Sequence, residues 1–440
     1  MRSNTETFIV NDIKVFRENL VSFLGNESIF CLLDSNNYYS GKDPDEHPYY
    51  HDYDLLCAIG VRKILKSTPL NAFNELETFQ KENKGEWFFG YFGYDLKNEI
   101  EKLTSENEDY LGFDEMFFFV PETVVSLKGD VATVHGNTSL LKNILSDTIP
   151  LPSLPSNNGN NKQVDLKNRI SKEYYLETVE KLRQHIIEGD VYEVSFCQEF
   201  YAEGVDINPL NIYKSLCEIS PQPFGAFIRI DDKYVMCASM ERYLKKSGNK
   251  LISQPIKGTI RRGTDNVEDE LLKKTLLNDE KERAENVMIV DLVRNDLSRV
   301  CAAGSVQVEE LFGIYDFPGV FQMISTVTGE LLAGKTGLDA IKASFPMGSM
   351  TGAPKIMAMN IIEQYEQTKR CVYSGAIGYF SPDGDFDFNV VIRTLLYNAS
   401  KKYISLHVGS AITFDSDPER EYEECLVKIK TILKALENNA

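Results

Sequence analysis

The sequence predicts a mixed α+β protein built on large sheets, and three observations point there. Helix-like and strand-like segments both occur in quantity. They do not follow one another in the regular βαβ alternation that a doubly wound fold requires. The strand-like segments are short apolar runs closed by turn residues, as buried strands are.

In chain order, Ser28-Ile29-Phe30-Cys31-Leu32-Leu33 and Met116-Phe117-Phe118-Phe119-Val120 read as buried strands, the second ended by Pro121. The aromatic stretch Trp87–Asp95 is strand-like, with Gly90 and Gly93 where backbones can approach closely. Ser171 is a plausible helix N-cap ahead of an apolar stripe at Tyr175, Val179, Leu182 and Ile186. Strands follow around Val191–Phe200 and Gly225–Ile230. A long helical region runs from about Val267 to Val300, another helix starts near Pro354, and a last one covers Glu419–Leu436. The stretch Pro150–Asn161, rich in Pro, Ser, Gly and Asn, has no periodicity. It places a linker at 150–163 between an N-terminal region, 1–149, and a C-terminal region, 164–440.

With 440 residues, 42% of them hydrophobic, the chain can bury one large core or two interlocked lobes. A net charge of −19 without a basic stripe argues against nucleic acid as a partner. The eight Cys are scattered without a CxxC, which fits small buried hydrophobes of a reducing compartment better than a zinc site or a disulfide framework. The N-terminus is polar, and no run approaches the ~18 apolar residues of a membrane span. The expectation is a cytoplasmic protein with no membrane partner.

Three motifs carry chemistry. Glu282 and Glu285 lie three apart, as do Glu421 and Glu424. On a helix such residues share a face. Two such faces meeting across a cleft would offer hard oxygen ligands to Mg²⁺, which keeps several waters and takes only one or two carboxylates plus substrate oxygens. Each pair alone also fits a solvated helix face. Gly348-Ser349-Met350-Thr351-Gly352-Ala353-Pro354-Lys355 is a glycine-rich turn feeding a helix, able to present free N–H groups to an anion. It lacks the Gly-Lys-Ser/Thr of a Walker A loop, so a small anion fits better than a nucleotide. Lys257, in Pro255-Ile256-Lys257-Gly258-Thr259, reads as a surface lysine or as a nucleophile, the latter if burial or positive neighbours lower its pKa.

Taken as an ordered set, these segments resemble the chorismate-utilising family, which includes component I of anthranilate synthase and of aminodeoxychorismate synthase and the isochorismate and salicylate synthases. The matching segments are Gly189–Val194, Ala238–Tyr243, Pro255–Gly263, Arg283–Arg299, Gly348–Lys355, Gly375–Tyr379 and Asp415–Glu424. Leu32-Leu33-Asp34-Ser35 and Phe92-Gly93-Tyr94-Asp95 match the family's N-terminal region more loosely.

The resemblance implies large, mostly antiparallel sheets packed as a sandwich with helices outside, in two interlocked lobes. Residues 1–149 would be the anthranilate-synthase-I-like region and 164–440 the chorismate-binding catalytic region. It implies Mg²⁺ held by Glu285 and Glu424, with Glu421 and Glu282 nearby, gripping the ring carboxylate. Tyr373 and Arg393 match contacts to the enolpyruvyl carboxylate, which suits the planar fork of Arg. Thr259, Ser349 and the backbone of Gly409-Ser410-Ala411 match further substrate contacts, and Lys428 would add positive charge.

Lys at position 257 is the mark of the aminodeoxychorismate synthase subgroup, where most members have Ala. There it implies a covalent adduct at ring C2, displaced by ammonia entering at C4. The sequence departs from the family at three places. Gln322 stands where many members have His and cannot act as an acid or base near neutral pH. Glu193 stands where amidating members have Gln and water-adding members Lys. Gly409-Ser410-Ala411 is poorer in glycine than usual. Lys257, Glu282, Glu193 and Gln322 are thus the expected catalytic set. No Gly-x-Cys-x-Gly elbow of a glutaminase is present, so ammonia would come from a separate glutamine amidotransferase subunit. The rivals are anthranilate synthase component I, an isochorismate or salicylate synthase, and a non-catalytic binding relative.

Overall fold

Two antiparallel sheets form the core of the computed structural model, which describes residues 5–36, 38, 51–67, 69–139, 144 and 164–438. The expected linker at 150–163 lies outside the described residues. Twelve strands make the larger sheet and ten the second, and every paired strand is antiparallel to its neighbour. The fold is α+β, as expected.

Segments from before and after the linker share both sheets. Ile29–Asp34 pairs with Phe224–Ile230 in the larger sheet, and Phe88–Phe92 pairs with Ala376–Phe380 in the second. Between the sheets lies a core to which Cys31, Ala226 and Ile228 contribute from one side and Phe89, Phe118 and Phe388 from the other. Burying a side chain of Phe size favours folding by roughly 1.5–3 kcal/mol. The larger sheet's outer face is covered by the helices Ile13–Leu24, Lys172–Glu188, Pro209–Ile219 and Pro418–Glu437. The helices Asn266–Asn278 and Glu280–Ser298 pack on the strands Ile256–Arg261 and Val320–Glu330 of the second sheet. No helix among the described residues is long and apolar enough to cross a membrane.

Local signals explain several boundaries. The Ser171 hydroxyl accepts the Tyr174 N–H and starts the helix Lys172–Glu188, whose stripe of Tyr175, Val179 and Leu182 is buried. The single helix expected over 267–300 is two. Asp279 ends the first and caps the second, its carboxylate accepting the Glu282 N–H at 3.0 Å, and this competing cap breaks the run. Gly90 sits where the sheet leaves no room for a side chain, since a Cβ there would lie 1.9 Å from the Phe117 carbonyl oxygen. Gly90→Ala should therefore lower stability by roughly 1–3 kcal/mol. Urea unfolding checks this; an unchanged midpoint would show that the strands can separate without cost.

Candidate active site

A cavity of about 610 Å³ opens where the two sheets and two helices meet. Its walls come from Glu193–Glu203 and Tyr403–Ile412 of the larger sheet, Ile256–Arg261 and Val320–Glu330 of the second, and the helices Glu280–Ser298 and Pro418–Glu437. Lys257, Thr259, Glu282, Glu285, Gln322, Ser349, Tyr373, Arg393, Gly409, Ser410, Ala411, Glu421, Glu424 and Lys428 all line it. Glu193 lies behind the lining and reaches it through Lys257.

The Lys257 ammonium donates to Glu193 Oε1 at 2.5 Å, and both side chains are buried. Burial acts to lower the lysine's pKa. The Glu193 and Glu285 carboxylates, the hydrogen bond to Glu193 and the charge of Glu241 outweigh it and hold it above the ordinary value. This corrects the condition set from sequence: the neighbours are negative, not positive, so the resting lysine is an ammonium. Its backbone is fixed as well, because Asn286, fully buried, donates to the Lys257 carbonyl at 3.1 Å. Gly258 has φ +102, and a Cβ there would lie 3.3 Å from Glu282 Oε2, so the glycine lets the strand and the glutamate helix close on each other.

The four expected metal glutamates face the cavity from two helices. Burial, with the Glu193 and Glu282 charges, pushes the Glu285 carboxyl up to about 7, against the opposing charges of Lys257 and Lys281. Burial is also the main reason that Glu282 is raised, with Asp279 and Glu424 adding repulsion. Burial would raise Glu424 too, but the Lys428 ammonium at 2.6 Å outweighs it and holds the carboxyl below its ordinary value. Among the described residues, the one group of three or more possible ligands with atoms within 4.8 Å of one another is His185, Glu188 and Asp190, so the four glutamates do not converge that tightly. Mg²⁺ does not require it, since one or two carboxylates with waters and substrate oxygens suffice. Mutually repelling carboxylates on a cavity wall, Glu421 buried, Glu282 and Glu285 partly so and Glu424 exposed, are a donor set that fits a hard cation.

Opposite them, Arg393 donates to the Lys428 carbonyl at 2.9 Å and pairs with no carboxylate among the described residues. Its backbone has φ +52, a conformation that non-glycine residues rarely adopt without a reason. The Tyr373 ring stacks on His407 with centroids 5.4 Å apart. Burial lowers His407 to about 4, so it is neutral. Ser349 Oγ is buried beside the Glu241 carboxyl, whose pKa it helps to hold down. An unpaired guanidinium is what an incoming carboxylate would use. Other side chains are already committed. The Ser410 hydroxyl bonds Tyr175 at 3.1 Å and leaves only its backbone to the cavity. Lys428 is shared between Glu424 and the Gly409 carbonyl. Gln322 accepts the Thr259 hydroxyl at 2.6 Å and donates to Met240 Sδ at 3.2 Å, so it shapes the wall and offers no proton.

Glu241, absent from the residues singled out by sequence, also lines the cavity. It sits where the chain passes from Lys233–Ser239 of the larger sheet to Arg242–Ser247 of the second. Burial pushes it up to about 7 against the Ser349 hydrogen bond and the Lys257 charge. It is therefore a group beside Lys257 that can carry a proton at neutral pH. A signal was present: one acid among Met236-Cys237-Ala238-Ser239-Met240 is costly unless used.

A family model described as chorismate binding enzyme matches residues 35–434. Anthranilate synthase component 1 of Thermus thermophilus is 36% identical over 363 residues, covering 79% of this chain and 77% of that protein. Aminodeoxychorismate synthase component 1 of Bacillus subtilis is 34% identical over 389 residues, covering 84% and 82%. Anthranilate synthase component I from Streptococcus pneumoniae superposes with a TM-score of 0.70 at 28% identity, over 98% of this chain and 93% of that one. The menaquinone-specific isochorismate synthase of Escherichia coli shares the fold, with a TM-score of 0.76 at 16% identity, over 99% and 94%. With the family model spanning nearly the whole sequence and such relatives covering most of it, the chain belongs to the chorismate-binding enzyme family.

Proposed function

We propose that this chain is component I of an aminodeoxychorismate synthase, converting chorismate and ammonia to 4-amino-4-deoxychorismate, a precursor of para-aminobenzoate and folate. The observation that carries this reading is the Lys257 ammonium, held at 2.5 Å from Glu193 in the cavity wall. Arg393 and Tyr373 receive the enolpyruvyl carboxylate, Ser349 makes a further substrate contact, and Glu285, Glu424 and Glu421 would hold Mg²⁺ with Glu282 beside them. When bound, Mg²⁺ neutralises the ring carboxylate.

Glu193 takes a proton from Lys257, freeing the amine. The Lys257 nitrogen bonds to ring C2 as the C4–O bond breaks, and Glu241 protonates the leaving hydroxyl, which departs as water. Ammonia then bonds to C4 and the C2–N bond breaks. Glu193 returns its proton to the released lysine, and Glu241 is reprotonated from the new amine or from solvent. This splits one displacement into two. It also gives the pair Glu193 and Glu241 opposite tasks, base and acid.

Ammonia comes from a separate glutamine amidotransferase subunit, in keeping with the component names of the relatives. A reducing, cytoplasmic setting fits eight free thiols. The second reading is anthranilate synthase component I, favoured by relatives of that name at 36% identity.

Incubation with chorismate, Mg²⁺ and ammonium, followed by product identification, separates the readings. 4-Amino-4-deoxychorismate is expected, whereas anthranilate or isochorismate would refute the proposal. Lys257→Ala should drop to background, and chelation with EDTA should abolish turnover reversibly. Glu241→Gln should cost about 10²–10⁴-fold in kcat. Because the acid must be protonated, activity should fall as pH rises through about 7, and this limb should be missing in Glu241→Gln.

A further inference from the structure

Arg370 does not line the cavity, yet three segments that do are tied to its guanidinium. It is 1% exposed. Nε and one terminal nitrogen donate to the two oxygens of Glu366 at 2.9 and 2.6 Å. That terminal nitrogen also donates to the Ser195 carbonyl at 2.8 Å. The other donates to the Met350 carbonyl at 2.7 Å and the Ser374 hydroxyl at 3.2 Å. The guanidinium carbon lies 4.4 Å from the centre of the Tyr94 ring, which backs it. Glu366 in turn accepts the Cys197 N–H at 2.8 Å.

All five N–H groups of the arginine are thus used, and their acceptors lie on different stretches of chain. Ser195 and Cys197 belong to the strand that carries Glu193. Met350 follows Ser349, and Ser374 follows Tyr373. Ser195, Cys197, Ser349, Met350 and Tyr373 line the cavity. A buried ion pair returns little net stability, because desolvation offsets its attraction. What the planar fork supplies is fixed angles among its acceptors.

We propose that Arg370, oriented by Glu366, is a positioning residue that aligns Ser195, Ser349 and Tyr373 as one wall for the substrate carboxylate without touching substrate. This rests on the reading that the cavity binds chorismate. Lys257, Glu241 and the metal glutamates lie on other segments, and Glu193, on the Ser195 strand, has its own bond to Lys257 and its own pairing with Ala353, so loss of the fork should fall mainly on substrate binding.

The test compares the full-length chain with Arg370→Lys, which keeps the charge and loses the fork, and with Glu366→Gln, which keeps an acceptor for Cys197 and loses the charge. Arg370→Lys should raise KM for chorismate roughly tenfold or more, with kcat changed less than about threefold. Hydrogen exchange without any ligand should quicken at residues 193–197, 348–351 and 371–375, and stay unchanged in the helices Lys172–Glu188 and Pro418–Glu437. Glu366→Gln should shift both readouts the same way by less, and it carries the test if Arg370→Lys does not fold. Unchanged KM, or exchange that quickens uniformly with lower overall stability, would overturn the positioning role. A wild-type chain that never turns over chorismate would refute the substrate reading instead, and the exchange pattern would still decide whether Arg370 holds the three segments.

Discussion

Lys257 carries a positive charge into a wall where its side chain is only 11% exposed, and Glu193 at 2.5 Å is what makes that tolerable. An ammonium buried alone would shed its proton or unfold the wall. Paired, it stays charged, and under the proposed mechanism the pair stores the proton that is moved. Other features follow from this pair. Glu285 and Glu241 feel the same ammonium, and burial still pushes both to about 7. Either can then hold a proton near neutral pH, and on the proposed function Glu285 would trade its proton for a cation.

The sheets bring this about by crossing over. Glu241 lies where a strand leaves the larger sheet for the second. Arg393 lies where the chain returns, between Phe386–Asn389 and Thr394–Asn398. The crossovers are joined, since Ala238 N–H donates to the Arg393 carbonyl at 3.1 Å and the Ser239 hydroxyl to the Val390 carbonyl at 2.6 Å. A proton donor and an unpaired guanidinium thus sit on the same seam, facing one cavity. Interleaving residues from both sides of the 150–163 segment in both sheets keeps that seam closed, because neither sheet is complete without the other side's strands.

Much of this was legible in the sequence where the signal was local. The Ser171 cap, the apolar strands and the glutamate pairs at i, i+3 spacing all depend on neighbours within a turn or two. Lys257 was legible as a residue but not as a charge state. Its partner lies 64 positions away, and only the meeting of two sheets makes Glu193 its counterion. Glu241 was quoted within a motif and passed over, because its burial depends on the crossover. The sequence rules Gln322 out as an acid or base but does not show that its bonds to Thr259 and Met240 tie up both ends of its amide. Arg370 and Glu366 gave no sequence signal, since an Arg–Glu pair four apart also describes an ordinary surface.

The central claim is that Lys257 becomes covalently joined to substrate, and mass spectrometry of the digested protein tests it most directly. The chain is incubated with chorismate and Mg²⁺, without ammonia, quenched and digested. The account predicts a mass increase equal to chorismate less one water, located on Lys257 and lost on adding ammonium. An unmodified Lys257 in a preparation that forms 4-amino-4-deoxychorismate once ammonium is added, or the same adduct in Lys257→Ala, would contradict it.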